Sequence, residues 1–120
     1  MKTTKVHQNL IGKTYNEIVE RLEITSDQGD CCGFASCDEL HAVPSGTNTD
    51  ELVLKDCVLI EYVSPYNDED RNVLNFIFVN PKGDELLLGY ELCAGSGSGW
   101  SYGAWVTLSL DGEELAAASW

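Results

Sequence analysis

Cys31, Cys32, Cys37 and His41 fall within one short segment, and thiolates beside an imidazole are a ligand set that zinc prefers. Their spacing argues against a closed structural site, because adjacent cysteines rarely both bind one ion. Cysteine is also among the residues most often buried as a small apolar group, and that is the reading preferred for these thiols. A Cys31 or Cys37 nucleophile activated by His41 is a second chemistry this cluster allows. It would need a helix terminus or positive charge to lower the thiol pKa, and neither is visible in so acidic a chain. The other histidine, His7, lies near an N-terminus expected to be mobile.

Gly95, Gly97 and Gly99 alternate with Ser96 and Ser98, ahead of Trp100, Tyr102 and Trp105. Successive backbone N–H groups in such a loop can cradle a phosphate. The order matches neither G-x-G-x-x-G nor a glycine followed by Lys-Ser/Thr, and no helix is expected to start after it. What remains is aromatic. Gly97, Ser98, Trp100, Tyr102 and Trp105 are the candidate binding residues, able to stack on a base or grip a peptide. The competing reading makes the loop a plain strand connection whose aromatics fill the core.

Paired carboxylates occur at Asp38-Glu39, Asp50-Glu51, Asp84-Glu85 and Glu113-Glu114. Each reads as a solvated turn rather than an acid/base pair. Asp68-Glu69-Asp70 lacks the glycine and closing glutamate of a calcium loop. No enzyme signature, resident metal or cofactor is therefore expected. Charge is the clearest global feature: seven Lys and Arg against 20 Asp and Glu leave −13, with a pI near 4.2. A surface of that sign repels nucleic-acid phosphates and anionic membranes. It favours a host protein with a basic surface, or cations, or serves simple solubility, the bland reading that explains most acidic proteins. Five cysteines, an odd number at irregular spacing, fit reduced thiols and a cytoplasmic location. Neither a signal peptide nor a run of roughly 18 apolar residues is found.

The elements that must carry these residues read as one domain spanning 1–120, with its core over about 10–110. Thr14 and Glu17 match a capping box, and Tyr15, Ile18, Val19 and Leu22 follow at helical spacing. Ile18, Glu20, Leu22 and Ile24 also alternate as a strand does, so 15–24 allows either state, with helix slightly favoured. Ser26–Asp30 is a turn, Cys31–Val43 a short irregular strand and Pro44–Asp50 a loop. Asp50–Leu54 suits a single helical turn. Cys57–Val63 is a strand, and Ser64–Asn72 a solvated loop. Val73–Val79 and Glu85–Leu92 form a hairpin around Asn80–Asp84. Ala104–Leu110 is a further strand, ended by Asp111-Gly112, and Glu113–Trp120 reads as a tail or frayed helix. The expected class is α+β, mostly β: one twisted, mainly antiparallel sheet with little helix.

Leu10–Thr14, Asp30-Cys31-Cys32, Asp50–Val53 before Val58–Glu61, the Phe76/Phe78 strand, Lys82-Gly83 and Gly97–Tyr102 occur in that order. The series resembles a family of small uncharacterised bacteriophage and prophage proteins, over about Leu10 to Leu110. Asp-Cys-Cys is its most distinctive step. The chain departs from the pattern in a shortened stretch before Asp30 and in its extra Cys37, Cys57 and Cys93. The resemblance implies a viral accessory role in the host bacterial cytoplasm and carries over no catalytic residue. The reading favoured is a non-enzymatic binding protein, in its sharpest form a nucleic-acid mimic. The alternatives are a nucleotide-like ligand held by the Gly/Ser loop, and a module stabilised by metal at the cysteine cluster.

Overall fold

Alternating apolar residues on either side of a tight turn at 80–84 build the longest hairpin of the molecule. In the computed structural model, which describes residues 1–29, 33–64, 69–96 and 103–120, eight strands are arranged in two antiparallel sheets. They are β1 (Lys2–Lys5), β2 (Leu22–Asp27), β3 (Phe34–His41), β4 (Val53–Tyr62), β5 (Glu69–Val79), β6 (Glu85–Gly95), β7 (Trp105–Leu110) and β8 (Glu113–Ser119). The single helix α1 (Tyr15–Val19) and two short 3-10 turns, Gln8–Leu10 and Thr49–Glu51, complete the described elements. The mostly-β class with little helix is thus as expected. The single sheet is not: a five-stranded sheet, β1-β4-β5-β6-β3, and a three-stranded one, β2-β7-β8, pack against each other.

Side chains of period two make each strand two-faced. Leu74, Phe76 and Phe78 of β5 are opposite Tyr90, Leu88 and Leu86 of β6 and share a face with Leu54, Cys57 and Leu59 of β4. Val106, Leu108 and Leu110 of β7 and Ala116 and Ala118 of β8 meet that face across the core. Three alanines in succession give β8 a low profile. The Asn72 carboxamide, on the inner face of β5, donates to the Ala117 carbonyl at 2.7 Å. The Asp70 carboxylate accepts from the Ser119 N–H at 2.9 Å, so polar links join the two sheets as well as apolar contact.

The ambiguity over 15–24 resolves in favour of both states in turn. Thr14 and Glu17 form the reciprocal capping box, and α1 runs only to Val19 before β2 begins at Leu22. Ile18 is fully buried, and the Tyr15 ring lies 5.3 Å from that of Phe78, so α1 closes the end of the core that the smaller sheet leaves open.

Four expectations are corrected. Glu113–Trp120 is neither tail nor frayed helix: Glu113–Ser119 is β8, paired with β7 through a turn at Asp111 (φ 51) and Gly112 (φ 84). Two successive positive φ values are what a two-residue type I′ hairpin needs, and Asp-Gly supplies them. The N-terminus is tied down, since β1 pairs with β4 and the His7 Nε2 lies 2.6 Å from the Leu115 carbonyl oxygen. Glu69–Asn72 belongs to β5 rather than to a loop, held by the Asp70 and Asn72 bonds and by Arg71, which donates to Glu91. β4 begins at Val53, and the helical turn before it covers Thr49–Glu51 rather than 50–54. Parts of the expected 26–30 turn, 31–43 strand and 64–72 loop lie outside the described residues.

Candidate functional site

The exposed face of the three-stranded sheet collects the one described aromatic of the candidate set. Register places Asp27, Trp105 and Ser119 in one row across β2, β7 and β8. Thr25, Thr107 and Ala117 form the next row, and Glu23, Ser109 and Glu114 the third. Trp105 is 40% exposed, although Val106 beside it is fully buried. Strand alternation forces this: once Val106, Leu108 and Leu110 enter the core, Trp105 must face water. The core-filling reading fails for this residue. Gly97, Ser98, Trp100 and Tyr102 lie outside the described residues.

Carboxylates crowd the far end of this face. Glu23 and Glu114 flank Ser109, and the β7–β8 turn adds Asp111 and Glu113, all exposed apart from the half-buried Ser109. Arg21 engages Asp111 at 3.1 Å, with both side chains more than half exposed. A row of Thr25, Thr107 and Ala117 thus runs between an indole and a carboxylate cluster. Such a surface suits contact with cationic groups, with the indole face available to a guanidinium and the carboxylates to further cations.

The opposite exterior, the outer face of the five-stranded sheet, is built differently. Its three cations are paired within the face: Lys5 with Asp56 at 3.1 Å, Arg71 with Glu91 at 2.6 Å, and Lys55 with Glu85. Asp38 and Glu69 are its further acids. Of 20 acids and seven cations in the chain, Asp30 and Asp68 lie outside the described residues. The outer face takes five acids and three cations. The remaining described chain therefore holds 13 acids against four cations, an excess of nine negative charges. Five of those acids, Glu23, Asp27, Asp111, Glu113 and Glu114, belong to the three-stranded sheet and its turn, and the other eight lie on or beside α1, in the other turns and on the other strands.

The cysteine cluster does not assemble among the described residues. Cys37 sits on the inner face of β3 opposite Leu92, and His41 is exposed beyond a bulge at the end of the same strand. Cys31 and Cys32 lie outside the described residues, and among those described no three His, Cys, Asp or Glu are placed to hold a metal ion. The thiols that are described are chemically quiet. Burial, then the Asp38 charge, pushes Cys37 up to about 11. Burial and Asp56 push Cys57 up to about 12, and burial, Glu69 and Glu91 do the same to Cys93, against a smaller opposing effect of Arg71. Near neutral pH such thiols hold their protons, the reverse of what a nucleophile needs.

Reading the sequence missed the row structure that joins Trp105 to Glu23 and Glu114. The signal for it was present in Asp111-Gly112, which makes the last strand and hence the three-stranded sheet. Among the described residues, no helix is long and apolar enough to cross a membrane. Compared with known proteins, the chain matches no protein-family model, no curated protein and no solved structure.

Proposed function

We propose that this chain is a non-enzymatic binding protein that engages a basic surface of a host macromolecule through the exposed face of its three-stranded sheet. The observation that carries the reading is the placement of exposed Trp105 on the same face as Asp27, Glu23 and Glu114. Carboxylates steer a cationic partner and fix its orientation, and the indole adds desolvated contact area at the moment of docking. The protonated thiols support a role in contact rather than turnover. The resemblance to phage-borne proteins sets the proposed setting, a viral accessory protein in the host bacterial cytoplasm. In the sharpest form of the reading, the acidic face occupies a site that otherwise holds nucleic acid.

The test is capture of partners from bacterial lysate on immobilised protein at low and moderate salt, with duplex DNA as competitor. The expected result is a retained basic protein, released by DNA and by rising salt, and lost with Trp105→Ala or a paired Glu23→Lys, Glu114→Lys exchange. Retention of nothing at either salt, or retention that these variants leave intact, overturns it. A second reading rests on Trp105 lying close in sequence to Gly97–Tyr102: an aromatic grip on a nucleotide-like ligand. Thermal-shift measurement against nucleotides separates the two, since a ligand at 100 times its dissociation constant stabilises by roughly 2.7 kcal/mol.

A further inference from the structure

The outer face of the five-stranded sheet is apolar, yet it lies outside the core. Register aligns Ile60 with Val73, Val58 with Asn75, Ile77 with Leu87, and Val53 with Val79 on this face. None of these apolar side chains belongs to the cluster that fills the interior, although Val73 is only 4% exposed. Leu87 among them remains 42% exposed. The Arg71 guanidinium lies 4.8 Å from the centre of the Tyr62 ring, so one of this face's three cations covers an aromatic group. A β-branched sheet surface of this kind is the inner half of a sandwich without its second half.

We infer that this face is the docking surface for a second copy of the chain, sheet against sheet about a two-fold axis. Charge selects the occupant. Every cation on the face is already paired with an acid of the same face, so a basic partner gains nothing here and is drawn to the opposite exterior. With five acids and three cations, this face carries a net charge of only −2 and meets its own copy with little repulsion, whereas pairing through the carboxylates of the three-stranded sheet sets acid against acid. Stacking this way also carries the two acidic exteriors to opposite ends of the dimer. They then lie roughly 30 Å apart, from three inter-sheet spacings of about 10 Å, or nearly four Debye lengths of about 8 Å at physiological salt.

Size agrees. The five strands, of 4, 10, 11, 11 and 8 residues, at about 3.3 Å per residue and 4.8 Å between strands, give roughly 700 Å² of planar face. That is close to the roughly 800 Å² per partner of a standard interface. At the middle of the central strand stands Asn75, whose Oδ1 is buried without a hydrogen-bond partner. It lies 2.6 Å from where a Cβ on Gly89 would be, so the missing side chain at Gly89 makes room for the amide. A lone polar group at the centre of an apolar interface is a known means of fixing register.

Sedimentation equilibrium of the purified full chain, from micromolar to hundreds of micromolar, tests this directly. The expected mass is twice 13.2 kDa, with association tightening as salt rises, because the remaining repulsion between acidic subunits is screened. Leu87→Glu is expected to weaken association at least tenfold, and the milder Ile77→Thr to weaken it less, each with an unchanged circular dichroism spectrum. Ile24→Glu, at a 51% exposed apolar residue of the other sheet, and Trp105→Ala are expected to leave it intact. A 13.2 kDa species throughout, or a dimer that Ile24→Glu dissolves and Leu87→Glu does not, overturns the inference. Neither outcome touches the basic-partner reading, which rests on the opposite face.

Discussion

The two exteriors of this sandwich have opposite characters. The three-stranded sheet shows water threonines, serines, carboxylates and one indole, while the five-stranded sheet shows isoleucine, valine and leucine between ion pairs that neutralise themselves. Net charge alone would describe both as one acidic surface. What separates them is strand pairing, which collects every second residue of several segments onto one plane. Register gathers Glu23, Asp27 and Glu114 on one exterior, and on the other it leaves an excess of only two acids over cations.

The sharpest way to challenge this contrast is within β5, where Phe76 faces the interior and Ile77 the outside. Phe76→Ala is expected to cost about 3–5 kcal/mol in chemical denaturation, at any protein concentration. Ile77→Ala is expected to cost about 1 kcal/mol in the monomer and more as concentration rises, because it weakens the dimer. Equal, concentration-independent losses would mean that the two faces are not distinct.

Alkaline pH probes the same contrast through two thiols. Cys57 and Cys93 are both raised to about 12 from 9, chiefly by burial, but Cys57 lies in the core and Cys93 on the outer face. A raised folded-state pKa means that the unfolded chain loses its proton first, so the stability is intact below about pH 9 and is lost as pH climbs towards 12. Unfolding free energy measured from pH 8 to 11 should fall. The fall should become visibly shallower in Cys57→Ala and change less in Cys93→Ala, whose surroundings are more open to solvent.

Gly89→Ala tests the packing at the centre of the outer face. A Cβ there would stand 2.6 Å from the Asn75 Oδ1, so the amide must move, at an expected cost of about 1–3 kcal/mol. Asn75→Ala in the same chain should recover most of that loss, and a double-mutant cycle measures the coupling. The smallest effect belongs to neither exterior. Thr14→Ala removes the capping box that starts α1 and should lower stability by about 1 kcal/mol, without altering either association or partner capture.

Much of this architecture was legible without coordinates. The Val73–Val79 and Glu85–Leu92 hairpin, the Ala104–Leu110 strand and the Thr14–Glu17 capping box each announce themselves through local chemistry: β-branched runs, a turn sequence, a reciprocal side-chain bond. Glu113–Trp120 was misread because its alanines favour helix, whereas pairing with β7 and the links to Asn72 and Asp70 override propensity. Of the candidate binding residues, Trp105 is exposed on the three-stranded sheet, and Gly97, Ser98, Trp100 and Tyr102 lie outside the described residues. Glu23 and Glu114 went unnoticed, because 91 residues separate them and only β7 brings them into one row.

Composition and local pattern by themselves determined the β-rich class, the sign of the charge and the two-faced character of each strand. Those properties depend on residues close in the chain, where period and turn chemistry act. Which face of a strand meets the core, how many sheets form and where the acids gather were decided by the tertiary structure alone. Pairing distant strands selects one register among several that local sequence would tolerate, and a shift of one residue would exchange the inside for the outside.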